Sequence, residues 1–426
     1  MFSTKIKFSI LTAAALAVIA PFNAAEATNG MNSAGYGMAS KGMAGAGVAM
    51  SQDTLSGATN PAALVNVGDR TDIGVNFFNP NRSMQAQDAT GAIPEGTYKS
   101  AEPWFIVPEF GINKMLDENS SIGVTLNANG GMNTEYGKNP FAGFSTAAES
   151  ARTGVDMAQA LLAVTYAKKY GEHSFGISPV LGFQYFSAYG LQDFAGNSTD
   201  PSSLTNRGYD YAAGYGMRLG YQGNITPNLS LGTSYQSRMY MQKFDKYKGL
   251  FAEGGDFDMA PIFNIGLAYK VPESPLTIAV DYQKIMYSEI DAISNSGNLL
   301  ASCQASGSTG LGGTDGCGFG WDDQDVIKLG VNYDYNDKLS LRTGASWNSQ
   351  VYENNETLFN ILAPAVVRLH ASVGATYDFK ENQSLSFAYT RAFDDSITGV
   401  HASNGTQNIK HQMNQHEIGV GYTYTW

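Results

Sequence analysis

From about Asp72 to the C-terminus, apolar and polar side chains alternate with a period of two, the pattern of strands whose two faces meet different environments. In residues 121–129, Ile122, Val124, Leu126 and Ala128 oppose Ser121, Gly123, Thr125, Asn127 and Asn129. In residues 417–426, Ile418, Val420, Tyr422, Tyr424 and Trp426 oppose Glu417, Gly419, Gly421, Thr423 and Thr425. One face is uniformly apolar and the other small and polar. A soluble sandwich would need helices, loops or a second sheet to cover so many apolar faces. The pattern predicts about fourteen strands, near 72–85, 100–114, 121–136, 155–170, 173–190, 208–225, 228–243, 260–271, 276–288, 325–335, 338–352, 367–379, 384–396 and 415–426. Short turns such as Gly171-Glu172, Pro227-Asn228 and Glu381-Asn382 join alternate pairs, and longer segments, notably 191–207, 244–259, 289–324 and 397–414, join the rest. This asymmetry predicts an all-β fold, a transmembrane antiparallel β-barrel with lipid on its apolar face and the long loops outside the cell.

Residues 28–70 break the alternation. They are rich in Gly, Ala, Met and Ser, and Gly35, Gly37, Gly42, Gly45 and Gly47 predict a compact, tightly turning chain. A solvated tail would carry more charge, so a hatch (plug) in the barrel lumen is expected rather than a periplasmic tail. Ahead of it, Lys5 and Lys7, the apolar run from Phe8 to Ala20 and the small residues of Ala25-Glu26-Ala27 read as a signal peptide with the mature chain starting near Thr28. The expected organisation is a signal peptide over 1–27, a hatch over 28–70 and a barrel over 71–426 of a Gram-negative outer membrane.

Composition agrees. Charged residues are 15% of the chain, against about 25% in soluble proteins. The mean hydropathy of −0.20 excludes a bundle of membrane helices. Without residues 1–27, which contain Lys5, Lys7 and Glu26, 24 basic residues face 37 acidic ones, a net charge of −13 that argues against nucleic acid as a partner. Cys303 and Cys317 lie in one Gly/Ser-rich stretch of a chain that folds in an oxidising compartment, so a disulfide that staples an exposed loop is expected. Closing a loop of ~15 residues contributes roughly 3 kcal/mol.

Several ordered segments resemble the FadL family of outer-membrane transporters for long-chain fatty acids and aromatic hydrocarbons. They are Asn60-Pro61-Ala62-Ala63-Leu64, Asn129-Gly130-Gly131-Met132-Asn133-Thr134-Glu135-Tyr136, Trp321-Asp322-Asp323 leading into Val326 to Tyr335, Leu341-Arg342-Thr343-Gly344, and Pro364 to Tyr377. The resemblance implies a barrel of about fourteen strands plugged by an N-terminal hatch, with a kink in the third strand that opens a lateral exit. On it, Asn60, Pro61 and Ala62 form the hatch motif, with Asn60 bonded near the kink, and Asn129, Gly130 and Gly131 form the kink. The residues alone also allow an ordinary Asn-Pro turn, and glycines that only relieve crowding against the plug. Fatty-acid-binding members place a Phe near the mature N-terminus. Here Thr28-Asn29-Gly30-Met31 has none, and Met31 is the candidate substitute. The segment 191–207 is short for the family's outer landing platform.

Leu250, Phe251, Phe257, Phe359, Ile361 and Leu362 fall in expected outer loops, either as a capture groove for substrate or as loops packed over the barrel mouth. Arg218, Lys270, Lys328 and Arg342 lie on the inward strand phase and could meet a carboxylate. His370 and Ser372 resemble the His-x-Ser pair of outer-membrane phospholipase A, but the alternation turns them into the lumen, away from lipid, and no third residue orients them. His401, His411 and His416 match no tight metal spacing. The expectation is therefore no enzyme, no cofactor and no metal. It is a passive, monomeric channel for hydrophobic molecules, most readily long-chain fatty acids, with outer-membrane lipid and lipopolysaccharide around it. An aromatic-hydrocarbon channel, a structural or adhesive surface barrel and a general porin are the alternatives.

Overall fold

The computed structural model describes residues 28–87, 93–101, 104–144, 152–298, 303–304, 307–400 and 407–426; the expected signal peptide and His401 lie outside them. Among the described residues, fourteen long strands run β1 Arg70–Gln87, β2 Phe105–Asp117, β3 Ser120–Tyr136, β4 Thr153–Tyr170, β5 His173–Tyr189, β6 Asp210–Thr226, β7 Leu229–Gln236, β8 Ile262–Lys270, β9 Leu276–Ile285, β10 Gln324–Asn336, β11 Leu339–Asn348, β12 Leu369–Lys380, β13 Gln383–Val400 and β14 Asn408–Thr425. Each pairs antiparallel with its sequence neighbours, and β14 returns to pair with β1 from Arg70–Thr425 to Gln87–Asn408, so the sheet closes and leaves no edge. The short strand Gly96–Lys99 also pairs with β1, and Tyr240–Met241 prolongs the line of β7 beside β6. The expected strand over 228–243 therefore breaks after Gln236, where Ser237, Arg238 and Met239 leave the ladder.

The alternation maps onto the wall as the period predicts. Ile73, Ile177, Leu267, Ile327 and Val420 are exposed on the outer face, where lipid lies, while Asn76, Thr125, Ser178, Asn264 and Asp281 are buried inside. Tyr424 and Trp426 stand exposed at the short-turn end, and Tyr211, Tyr215 and Trp347 toward the long loops, as girdles at the two interfaces.

Residues 28–69 fill the lumen, and the wall is shaped to receive them. At several of the closest contacts between this segment and the wall, the inward residue is glycine. A Cβ at Gly176 would stand 2.3 Å from the Pro61 carbonyl carbon, one at Gly232 2.2 Å from the Val48 oxygen, and one at Gly344 2.3 Å from the Met43 carbonyl carbon. The atoms met are backbone atoms of the segment, and the glycines stand on strands paired on both sides, so an added Cβ could be relieved only by shifting one of two packed surfaces. Beyond the membrane, the segments after β5, β7, β9 and β11 pack one apolar core around Phe186, Phe244, Phe251, Phe257 and Tyr352. Cys303 and Cys317 are bonded, with Cα atoms 5.5 Å apart. They are buried within that core instead of stapling an exposed loop, because the outer segments fold over them.

Candidate functional site

Polar groups of the inner wall seat the N-terminal segment. Asn60 caps the 3₁₀ helix Pro61–Asn66, accepting the Ala62 N–H at 3.1 Å with Pro61 in the first helical position. Its amide donates to the carbonyls of Val48 and of Tyr221 in β6, both at 2.9 Å. Asn60 is thus bound to β6 and not beside the Asn129–Gly131 kink as expected, because the helix it caps sits mainly against β4, β5 and β6 and meets β3 near Gly123, well before the kink. Ala62 is fully buried in the same turn. Three wall carboxylates grip backbone N–H groups of the segment. Asp281 takes Gly47 and Val48 at 2.7 and 3.0 Å, Asp72 takes Thr54 at 2.9 Å, and Glu109 takes Gly37 at 3.2 Å. Lys41 forms a buried ion pair with Glu417. Buried charges need such partners, since an uncompensated one costs several kcal/mol.

Two of the four inward cations serve the same seat. Lys328 donates to the Ala34 carbonyl at 2.8 Å and Arg218 to that of Gly57 at 3.3 Å. Arg342 bonds Thr376 at 2.7 Å, and Lys270 is exposed at a strand end. Ser372 pairs with Thr390 at 2.9 Å rather than with His370, so no nucleophile and base meet. His411 is buried against the Tyr352 hydroxyl at 2.8 Å. His416 bonds Tyr389 on the other face of β14, since an odd separation along a strand reverses the side.

β3 departs from the regular wall. It pairs with β2 only from Asp117–Ser120 up to Phe110–Leu126. Beyond that it turns inward, and both phases become buried, Leu126 and Ala128 included. The pairing with β4 slips between Ala128 and Gly130, a bulge that leaves Asn129 unpaired in the ladder and lets the strand bend. The Asn129 amide instead donates to Gln159 Oε1 at 3.0 Å. The edge that β3 turns from β2 is taken by the N-terminal residues. Asn32 bridges Gly130, Ser33 N–H reaches the Asn129 oxygen at 2.9 Å, and Gly131 N–H reaches the Met31 oxygen at 3.1 Å. Higher up, Ala101 N–H meets the Glu135 oxygen at 2.8 Å. Between these limits β2 and β3 share no ladder, and Phe78, Phe105, Val107 and Ala128 cluster at this window.

Two apolar cavities lie above the closed lumen. The inner one, about 360 Å³ of open space, is lined by Met31, Phe78, Met132, Trp321, Ala363, Pro364 and Met413, among others, and by one charged side chain, Arg82. The outer one, also about 360 Å³, is lined by Leu250, Phe251, Phe359 and Leu362 together with Val155, Phe186, Phe319 and Cys317. Four of the six expected ligand contacts therefore share one cavity. Phe257 packs tilted against Phe251, with ring centroids 4.7 Å apart, and the carbonyl of Ile361 accepts the Tyr136 hydroxyl at 2.8 Å. That bond, with Thr134 Oγ1 to the Leu362 oxygen at 2.9 Å, ties the bent end of β3 to the wall of the outer cavity. Phe78, Arg82 and Met413 were not singled out by sequence. The signal was the pair Phe77-Phe78, where two successive bulky residues put one of them on a face that elsewhere is small and polar.

The family described as outer membrane protein transport protein (OMPP1/FadL/TodX) matches residues 13–426. The chain belongs to this family. It is an outer-membrane β-barrel for hydrophobic compounds, and the FadL/TodX proteins are transport channels, not enzymes. Solved relatives share the architecture. The Pseudomonas putida toluene transporter TodX superposes with a TM-score of 0.70 at 18% identity over 92% of this chain and 99% of that one. A Pseudomonas aeruginosa FadL homologue gives 0.69 at 15% over 93% and 99%, and the Ralstonia pickettii toluene transporter TbuX 0.65 at 16% over 92% and 99%. At these identities the likeness establishes the fold. Among curated proteins, none matches the chain by sequence.

Proposed function

We propose that this FadL/TodX-family barrel carries long-chain fatty acids passively inward, from the outer cavity to the inner one and then sideways through the window between β2 and β3. The observation that carries the reading is an apolar cavity beside a stretch of wall where β2 and β3 share no ladder, in a lumen occupied by residues bonded to the wall. A tail loses roughly 0.8 kcal/mol per CH₂ on entering water, so a lateral path into lipid avoids a cost that a straight aqueous path would impose. On this reading Leu250, Phe251, Phe257, Phe359, Ile361 and Leu362 capture the substrate, and Met31 stands where other members place a Phe. Asn129, Gly130 and Gly131 shape the exit, and Asn60, Pro61 and Ala62 hold the hatch. The barrel acts as a monomer within lipid and lipopolysaccharide.

Arg82 favours a substrate with an acidic head, because a guanidinium beside an apolar cavity offers a carboxylate charge-assisted hydrogen bonds. A second reading, an aromatic-hydrocarbon channel, is favoured by the uncharged outer cavity and by the solved toluene transporters of the same fold.

The test is uptake of labelled oleate, and separately of toluene, by cells lacking their own channels. The intact protein is compared with Gly131→Val, Val107→Trp and Arg82→Met, each first shown to reach the membrane folded. Oleate uptake should be restored by the intact protein, blocked by the two window variants and lowered about tenfold by Arg82→Met, the loss of one charge-assisted bond. Toluene uptake without oleate uptake would transfer the conclusion to the hydrocarbon reading. Transport that ignores both window variants would refute lateral exit.

A further inference from the structure

The N-terminal segment is held in two different ways. Residues 37–66 are locked by wall carboxylates and by glycine seats against backbone, as described above. Residues 28–33 touch none of those carboxylates. They hang on the edge of β3, on Asn348 Nδ2 to the Thr28 oxygen at 3.0 Å, on Gln283, and above all on one phenol. Tyr287 stands in the turn just after β9. Its hydroxyl donates to the Asn29 carbonyl at 2.7 Å and accepts both the Met31 N–H at 2.9 Å and the Asn32 side-chain amide at 2.8 Å. A single buried oxygen thus ties Asn29, Met31 and Asn32 to the turn after β9. Gly30 lies over the ring in the left-handed region, at φ +59°, and a Cβ there would come within 2.5 Å of the hydroxyl oxygen.

The ring is connected to the inner cavity through Trp321. Tyr287 meets Trp321 edge-on, with centroids 5.2 Å apart and planes at 83°. Trp321 lines the inner cavity beside Met31, and its indole N–H donates to Asn360 at 2.6 Å, within the turn Phe359–Ile361 beside the outer cavity. One line of contacts therefore runs from the outer cavity through Asn360, Trp321 and Tyr287 to residues 29–32, and from Asn32 to the bent edge at Gly130.

We infer that Tyr287 is a positioning residue, a latch that holds residues 28–33 against β3 and is released when an apolar molecule displaces Trp321 in the inner cavity. This rests on the transport reading. It adds that Tyr287 and Trp321 are the residues that couple an occupied cavity to residues 28–33, while 37–66 remain a fixed stopper. Cargo can shift the latch only by binding the released form more tightly, which it does if residues 28–33 otherwise occupy part of its space, as Met31 does.

The test is amide hydrogen exchange on the full protein in liposomes. Tyr287→Phe keeps the ring against Trp321 and removes all three bonds. It should raise exchange at residues 29–33 by about tenfold or more, since buried groups lose their partners, and leave residues 37–66 unchanged. Asn32→Ala, which removes one bond, should fall between it and wild type. Oleate added to wild type should reproduce the Tyr287→Phe pattern and shift the emission of Trp321, the buried tryptophan beside the exposed Trp104, Trp347 and Trp426. Unchanged exchange at 29–33 in Tyr287→Phe overturns the latch, and so does equal loosening of 37–66. Oleate and toluene that both leave 29–33 protected overturn its release by cargo. The cargo-free comparison of Tyr287→Phe with wild type needs no transport, so a failure of the transport reading is visible separately, in uptake.

Discussion

Asn60→Ala is the perturbation whose outcome can be worked out most fully. The side chain is buried and makes three hydrogen bonds, two as donor to the Val48 and Tyr221 carbonyls and one as acceptor from Ala62 N–H. At roughly 1 kcal/mol for each bond lost, with more where a buried partner is left unsatisfied, the seat of the plug should weaken by ~3 kcal/mol. That is about a hundredfold in the opening equilibrium of the segment. Amide exchange across residues 48–66 in the folded barrel measures it directly. Asn60→Asp separates the contributions. Aspartate remains a good helix cap, so the Ala62 bond survives, but both donors vanish and a carboxylate faces two carbonyl oxygens. The geometry therefore expects Asp to be at least as damaging as Ala. If Asn60→Asp protects residues 48–66 as well as wild type does, the side chain acts only as a cap, and the assignment of β6 as its anchor is wrong.

Gly176→Ala should destabilise the folded barrel by about 1–3 kcal/mol in urea titration, because its Cβ would meet the Pro61 backbone. Gly196→Ala, with nothing within 4 Å, should be silent. In the outer loop, burial and then the neighbouring Asp258 carboxylate push the Asp256 carboxyl up to about 6 from its ordinary 3.8. The folded loop thus favours the proton. The stabilisation is full below the ordinary value and is lost as pH rises through about 6, so residues 250–258 should be better protected at about pH 5 than at about pH 7.5. Asp256→Asn should abolish that difference in exchange. Replacing Cys303 and Cys317 by Ser frees a loop of sequence separation 14. It should expose residues 286–323 to protease at a local cost of roughly 3 kcal/mol while heat resistance of the barrel is kept.

Much of the fold was legible because a barrel strand carries its instruction locally. The predicted strand over 72–85 became Arg70–Gln87 and that over 276–288 became Leu276–Ile285, since alternation marks which residues face lipid, whatever their partners. The same rule misled at Leu126 and Ala128. They obey the outward phase, yet are buried because β3 leaves the wall there, and period two does not say what a face will meet. The inward glycines were visible as small residues, but not as seats for Pro61, Val48 and Met43, whose position in the lumen no local pattern encodes. Asn60 was picked out by its motif and then found bound to β6.

The sequence by itself determined the class of the molecule. Alternation, turn asymmetry and the Gly-rich N-terminal segment specify a membrane barrel and the compact chain that precedes it, because the faces of a strand and the conformations of glycine are local properties. Only the tertiary structure decided which residues come together around the cavities. The inner cavity joins Met31, Arg82, Met132, Trp321 and Met413, and Tyr287 reaches Asn29 across 258 residues. Such contacts depend on barrel closure and on how far β3 bends. Both follow from the summed packing of plug, wall and loops, and that sum leaves no periodic trace in the chain.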